Sequence, residues 1–223
     1  YAGCTYEDVR AGFERAGILE ERKEYTPEDR SIAFTADYIN PSIHVYRDAE
    51  GNAKYYIHRM ADKDGGKTFR QYRMSEDGTF KAGMKDIPRI PYNWHIISGH
   101  STVFIVEGEQ AADAMIRAGY PATTNPGGAS TWQPELNEYF AGKTCIIIPD
   151  NDEPGIKHAE AIATALQGTA QDTIISEVCH GMADKADIVD WMSANPTQIS
   201  RLYEITAGQP QMIPTKPGGA ARA

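Results

Sequence analysis

The chain has 223 residues, enough for one large domain or two small ones. Its apolar fraction of 41%, the lack of any apolar run of membrane-spanning length and the lack of an opening signal peptide lead us to expect a cytoplasmic protein that works away from membranes. A net charge of −9 excludes a generic polyanion coat, and the three scattered cysteines Cys4, Cys145 and Cys179 exclude a disulfide framework and fit a reducing compartment.

Tyr1 rather than Met opens the chain, so a piece of a longer protein is expected. Residues 1–30 read as a short helix and a connector. Thr5 and Asp8 form a capping signal, Val9, Phe13 and Ala16 recur at helical spacing, and Gly17 stops the run. The charged, Pro-containing stretch from Glu20 to Arg30 links this helix to a β-patterned region.

Residues 31–98 read as a β-rich unit. Ile43–Tyr46 is a strand and Asp48–Asn52 its turn. Ala53–Met60 and Thr68–Met74 are aromatic-rich strands joined by a hairpin loop over 62–67. Between Lys54 and Arg89 stand nine basic and five acidic residues, a local +4 in an acidic protein. Basic residues interleaved with aromatics suit a surface that tracks single-stranded nucleic acid, with Lys67, Arg70, Arg73 and Lys85 as candidate phosphate contacts. A solvated hairpin with half-buried aromatics has the same pattern, and the sequence leaves both open.

Residues 99–206 alternate β and α. Val103–Val106 is a buried strand, followed by a helix over 110–118 with Ala111, Ala114, Met115 and Ala118 inward. Pro121–Thr124 is a short strand, and Asn125-Pro126-Gly127-Gly128 its loop. A helix from Ser130 to Phe140, a central β-branched strand over Thr144–Ile148, a helix over Pro154–Leu166 and a strand over Thr173–Val178 come next. Asp187–Met192 is a short helix, Pro196 starts a last one to Tyr203, and residues 207–223, rich in Gly, Pro and Ala, are expected to be disordered. Cys145 reads as a buried structural thiol, and Trp132 and Trp191 as core.

Two strand ends carry the chemistry. Glu107 follows one buried run, and Asp150 and Asp152 follow another. Ligands of open parallel sheets bind where strands give way to helices, so the three carboxylates form a hard-cation site, for Mg²⁺ or Mn²⁺. Asp-x-Asp alone is also ordinary turn chemistry; its pairing with Glu-Gly at a second strand end is the stronger signal. Gly127 and Gly128 can bring backbone N–H groups to a phosphate, or simply make a tight turn. Lys157, one turn into the helix after Asp152, is a phosphate contact or a solvated lysine. The six histidines show no metal spacing; His158 is a weak site candidate.

Val106-Glu107-Gly108-Glu109, Ala122 to Ala129, Ile147 to Gly155 and Lys157-His158-Ala159 together resemble the TOPRIM domain of primases, topoisomerases and some nucleases. Among these the set is most similar to phage- and plasmid-type primases, many fused to a helicase. Lys185-Ala186-Asp187-Ile188-Val189-Asp190-Trp191 resembles their third acidic motif and implies Asp187 as a further metal ligand. The basic hairpin and Ile90-Pro91-Tyr92-Asn93 resemble the subdomain that precedes TOPRIM, and Ala2 to Val9 the tail of a zinc module whose other ligands are missing, so no zinc is expected here.

The resemblance implies an α/β fold with a largely parallel sheet behind a small basic β-rich subdomain. It implies Mg²⁺- or Mn²⁺-dependent synthesis of RNA primers on single-stranded DNA from nucleoside triphosphates, beside a replicative helicase in cis or in trans. One departure stands out: primases carry a further acid four residues after the motif Glu, where this chain has Ala111, with Glu109 and Asp113 nearby. A TOPRIM nuclease or a non-catalytic nucleic-acid- and nucleotide-binding module of a helicase fusion are the alternatives.

Overall fold

A computed structural model of the chain describes residues 43–61, 67–74, 80–84, 86–127 and 132–207. The expected N-terminal helix, Cys4, the loop over 62–66, Lys85, Gly128 and the tail from 208 lie outside the described residues. Contacts divide the chain after Ile90, earlier than the boundary at 98/99 that the sequence pattern suggests. Pro91–His100 falls with the second unit because Tyr92 N donates to Thr124 O (3.0 Å) and Lys143 Nζ donates to Ser98 O (2.8 Å).

The first unit is an antiparallel sheet in the order β1 (Ile43–Arg47), β2 (Ala53–Ala61), β3 (Lys67–Met74) and β4 (Phe80–Ala82). The β1–β2 turn forms as its sequence dictates: Asn52 N donates to Asp48 Oδ1 (2.8 Å), and Gly51 takes φ +86°. Tyr46 stacks on Tyr55 across the pair, with ring centroids 4.4 Å apart. The Tyr55 hydroxyl donates to Ile90 O (2.9 Å) and accepts from Ile90 N (3.2 Å), tying the exit of this unit to its sheet.

The second unit is a parallel sheet in the order β6 (Ala122–Thr123), β5 (Thr102–Val106), β7 (Thr144–Ile148) and β8 (Asp172–Ile175). Both faces are covered, which is why β5 and β7 read as unbroken apolar runs. On one face Val103, Ile105, Cys145, Ile147 and Ile175 pack against Ala159, Ile162, Ala163 and Leu166 of a long helix. The other face carries Phe104, which meets Tyr120 and Tyr203 edge-on or tilted at 5.5 and 5.1 Å.

Among the described residues the helices are α1 (Trp94–Ile97), α2 (Glu109–Arg117), α3 (Glu153–Leu166), α4 (Ile188–Ala194) and α5 (Leu202–Ala207). In α2 it is Ala112, with Ala111 and Met115, that is buried in place of Ala114. The helix expected from Ser130 is a 3-10 stretch over Pro134–Phe140, which starts where Pro134 supplies a first-turn residue needing no N–H partner. The last helix begins at Leu202 behind a 3-10 turn, and β8 ends at Ile175 rather than Val178. Cys145 is fully buried, its thiol pushed up to about 12 by that burial, and Trp191 is buried as expected.

Candidate functional site

From β5 the chain moves outward to β6, then returns across β5 to β7 and on to β8. The strand order therefore reverses between β5 and β7, the place where open parallel sheets bind ligands. Val106 pairs with Ile148 in register, so Glu107 and Pro149-Asp150 leave neighbouring strands side by side.

Local geometry then aims the acids. Gly108 follows Glu107 with φ +82°, a conformation that favours glycine, and its N–H donates to Thr124 Oγ1 (3.1 Å), pinning the β5 end to the β6 end. After β7 the Asp152 N–H donates to Asp150 O (2.8 Å), closing a three-residue turn about Asn151. Asp152 caps α3 by accepting from Gly155 N through Oδ1 (2.8 Å). A Cβ on Gly155 would stand 2.8 Å from Asp150 O and 3.1 Å from Asp152 Oδ1, so glycine is what lets α3 approach this turn. Asp187 caps α4, with Oδ1 accepting from Val189 N (2.7 Å) and Asp190 N (3.0 Å), while Asp190 Oδ2 accepts from Asp187 N (3.1 Å).

These acids feel one another. Burial, and then the charges of Glu107, Asp187, Asp152 and Asp190, push the Asp150 carboxyl up to about 8. Glu107 is raised as well, by burial and then by Asp152 and Asp187. The Cys179 thiol is pushed up to about 12 by burial and then by Asp150, Asp187 and Asp190. A set of half-buried carboxylates that repel one another is the donor chemistry of a hard divalent cation. Among the described residues no three His, Cys, Asp or Glu side chains form a group that could hold a metal ion between them. An ion gripped by one or two carboxylates, waters and substrate phosphates requires none.

The structure thus brings together Glu107, Asp150, Asp152 and Asp187, and adds Asp190, which the sequence shows only as one letter of the third acidic motif. Gly155 stands in the sequence only as the last letter of the Ile147 to Gly155 motif, and its packing role is new. A glycine in a helical first turn is costly, and that cost was its signal. Asp113 instead accepts from the Tyr92 hydroxyl (3.1 Å) and Asn93 Nδ2 (3.2 Å). Ala111, at 3% exposure, is packed into the core. Lys157 is exposed and paired with Glu153, while His158 meets Asn125 Oδ1 (3.1 Å) and is lowered by burial. Gly127 sits exposed after β6 with φ +99°.

In the first unit the candidate basic residues divide between the two sheet faces. Arg70 lies opposite His58, on the face of Tyr56 and Tyr72. Arg73 lies on the other face with Arg59, Phe69 and Lys81. Its guanidinium donates to Ala82 O (3.2 Å) and Gly83 O (2.9 Å), so it braces β4 while keeping its charge on that face. Lys67 opens β3, and its side chain is outside the described set. Phe69 is 51% exposed between these cations, an aromatic whose strand alternation puts it on this face but whose exposure only the structure reveals.

No family model matches the chain. It is similar to the Gene 57 protein of Mycobacterium phage D29, 34% identical over 100 residues, covering 43% of this chain and 64% of that protein. The match thus spans less than two thirds of that relative's length. Among solved structures it is similar to the Aquifex aeolicus primase, with its zinc-binding and RNA polymerase domains, at a TM-score of 0.57 and 10% identity over 93% of this chain and 57% of that one. The chain shares the fold of that primase. A chain from bacteriophage T7 lagging-strand DNA polymerase in complex with primase domains bound to an RNA/DNA hybrid and dTTP is also similar, at a TM-score of 0.49 and 20% identity over 76% of this chain and 78% of that one. Among the described residues no helix is long and apolar enough to cross a membrane.

Proposed function

We propose that this chain is the catalytic core of a phage- or plasmid-type DNA primase, making short RNA primers from nucleoside triphosphates on single-stranded DNA. The observation that carries the reading is the convergence of Glu107, Asp150, Asp152 and Asp187 at the reversal of strand order in a primase-like fold. One or two of these four would hold Mg²⁺ directly and the rest through its waters, with Mn²⁺ able to replace it; the bound ion would supply the positive charge that activates a 3′-hydroxyl and steadies departing pyrophosphate. Glu107, whose carboxyl already holds its proton more tightly than usual, is placed to take a proton at the 3′-hydroxyl as well as to bind. Asp152 and Asp187 each spend Oδ1 on a helix cap, which fixes their orientation before any ion arrives.

Template and nucleotide phosphates fall to the basic residues, Arg59, Arg73 and Lys81 foremost, with Arg70, Lys67, Lys85 and Lys157 as further candidates, and to the backbone N–H groups of Gly127 and Gly128. Phe69 would stack on a template base between those cations. A replicative helicase, in cis or in trans, is the expected partner.

The test is de novo primer synthesis on single-stranded DNA with all four nucleoside triphosphates. Asp150→Ala and Asp152→Asn should each abolish Mg²⁺-dependent product, and unchanged activity in both sinks the reading. The buried Ala111 favours a second reading, a binding module without catalysis. That reading gains if nucleotide binds with no dependence on metal and no primer forms.

A further inference from the structure

The loop from Glu177 to Asp187 carries the acids Asp187 and Asp190 up to the β7 end, and one residue holds it there. Asn151, the middle of Asp150-Asn151-Asp152, makes four bonds to this loop. Its backbone N–H donates to Ala186 O (2.8 Å), and its carbonyl accepts from Lys185 N (3.1 Å). Its side-chain Nδ2 donates to Met182 O (2.7 Å) and Ala183 O (3.1 Å). Ala186 N in turn donates to Ala183 O (3.0 Å), so the clipped segment is a closed turn. Lys185 holds φ +63° within it, the left-handed region that is strained for a non-glycine residue and that surrounding bonds sustain.

Asp187 follows this turn directly, one residue beyond the carbonyl that Asn151 N–H grips. We infer that Asn151 is the positioning residue of the site: its carboxamide clips the 182–186 turn to the end of β7 and so delivers Asp187 to the carboxylates of Asp150 and Glu107. The inference rests on the proposed metal site and deepens it. Both Nδ2 hydrogens are used on two carbonyls, so a residue lacking that NH₂ group does not replace it. Aspartate, isosteric but without a donor, sets its charge against both carbonyls and adds a negative charge to the cluster. The Asn151 side chain spends its donors on backbone alone, which separates it in kind from its two neighbours.

The experiment compares wild type, Asn151→Ala, Asp187→Asn and the double variant, with Mg²⁺ alone as the probe. Asn at 187 keeps a cap acceptor while removing the charge. Two readouts are taken: amide hydrogen exchange of segment 182–187 without metal, and the Mg²⁺ concentration that gives half the metal-induced thermal shift. Asn151→Ala should speed exchange of the Lys185 amide and raise the half-saturating Mg²⁺ roughly 10-fold, the usual scale for losing an outer-shell partner. The double variant should need no more Mg²⁺ than Asp187→Asn, because Asn151 acts through Asp187.

Unchanged exchange in Asn151→Ala overturns the clip. So does an unchanged Mg²⁺ requirement in that variant while Asp187→Asn shifts, or effects that multiply in the double variant. If Mg²⁺ produces no thermal shift even in wild type, the metal reading itself falls, and this inference with it.

Discussion

The two sheets of this chain solve different problems with the same strand chemistry. The antiparallel sheet carries cations on both faces: Arg70 lies opposite His58 on one, and Arg73 opposite Lys81, with Arg59 and the half-exposed Phe69, on the other. The parallel sheet hides both faces and has no polar surface left except at its strand ends. Function in the first is therefore spread over a face, while function in the second is gathered at an edge. A spread surface loses affinity in small steps as residues are removed; a gathered site fails at a single substitution.

The largest expected contrast comes from that difference. Asp150→Ala should cut primer synthesis by at least about 10³-fold, as loss of a group acting in a metal-assisted transition state does, with the far-UV circular dichroism unchanged. Removing Arg59 or Lys81 singly should leave catalysis on saturating template intact. Each should instead lower the slope of log affinity against log salt by about 0.7, one phosphate contact on a single strand. If Asp150→Ala lost only a few-fold, or one cation variant abolished activity, the division between edge and face would be wrong.

Gly155→Ala comes next. The added methyl meets backbone 2.8 Å away at Asp150 O, which cannot swing aside as a side chain would. Overpacking of this kind costs about 1–3 kcal/mol, read as a lower midpoint in urea, and should also weaken Mg²⁺ binding because the Asp150–Asp152 turn is what must move. Phe69→Ala should act on binding alone. Half exposed, the ring contributes little to stability, and its removal should weaken single-stranded DNA binding by about 1–3 kcal/mol, measured by fluorescence anisotropy.

Acidity gives a sharper handle on the edge. Asp150 has its carboxyl raised from 3.8 to about 8 in the folded metal-free protein. A raised carboxyl contributes stability in its protonated form, fully present below the unfolded value and lost as pH rises through the folded one. Metal-free protein should therefore lose thermal stability between about pH 4 and pH 8. Asp150→Asn should flatten part of that fall, and Mg²⁺ should stabilise wild type more at pH 8 than at pH 6. A pH profile identical in wild type and Asp150→Asn would remove Asp150 from the buried cluster.

Much of this was legible in the sequence. Five-residue apolar runs ending in Glu107 and Asp150 announce parallel strands and their business ends, because burial on both faces leaves no alternation to confuse the reading. The three-residue β4 and four-residue α1 escaped because neither is long enough to show a period. Pairing and tertiary contacts make them, not propensity. Within the site, carboxylate identity was readable and carboxylate placement was not. Asp113 and Asp187 are equally acidic in sequence. One bonds to Tyr92 and Asn93 while the other reaches the cluster, because α2 and α4 present them to different neighbours. The clip by Asn151 was illegible for a further reason: its partners are backbone carbonyls, which every residue has.

The central claim is that the edge where β5 and β7 end holds the metal. Anomalous diffraction from crystals grown with Mn²⁺ and a nucleoside triphosphate tests it most directly. The account predicts a peak within ligand distance of Asp150 or Asp152, with Glu107 and Asp187 around it, and no such peak in Asp150→Ala. A strong Mn²⁺ peak away from this edge, with none between these carboxylates, would contradict it.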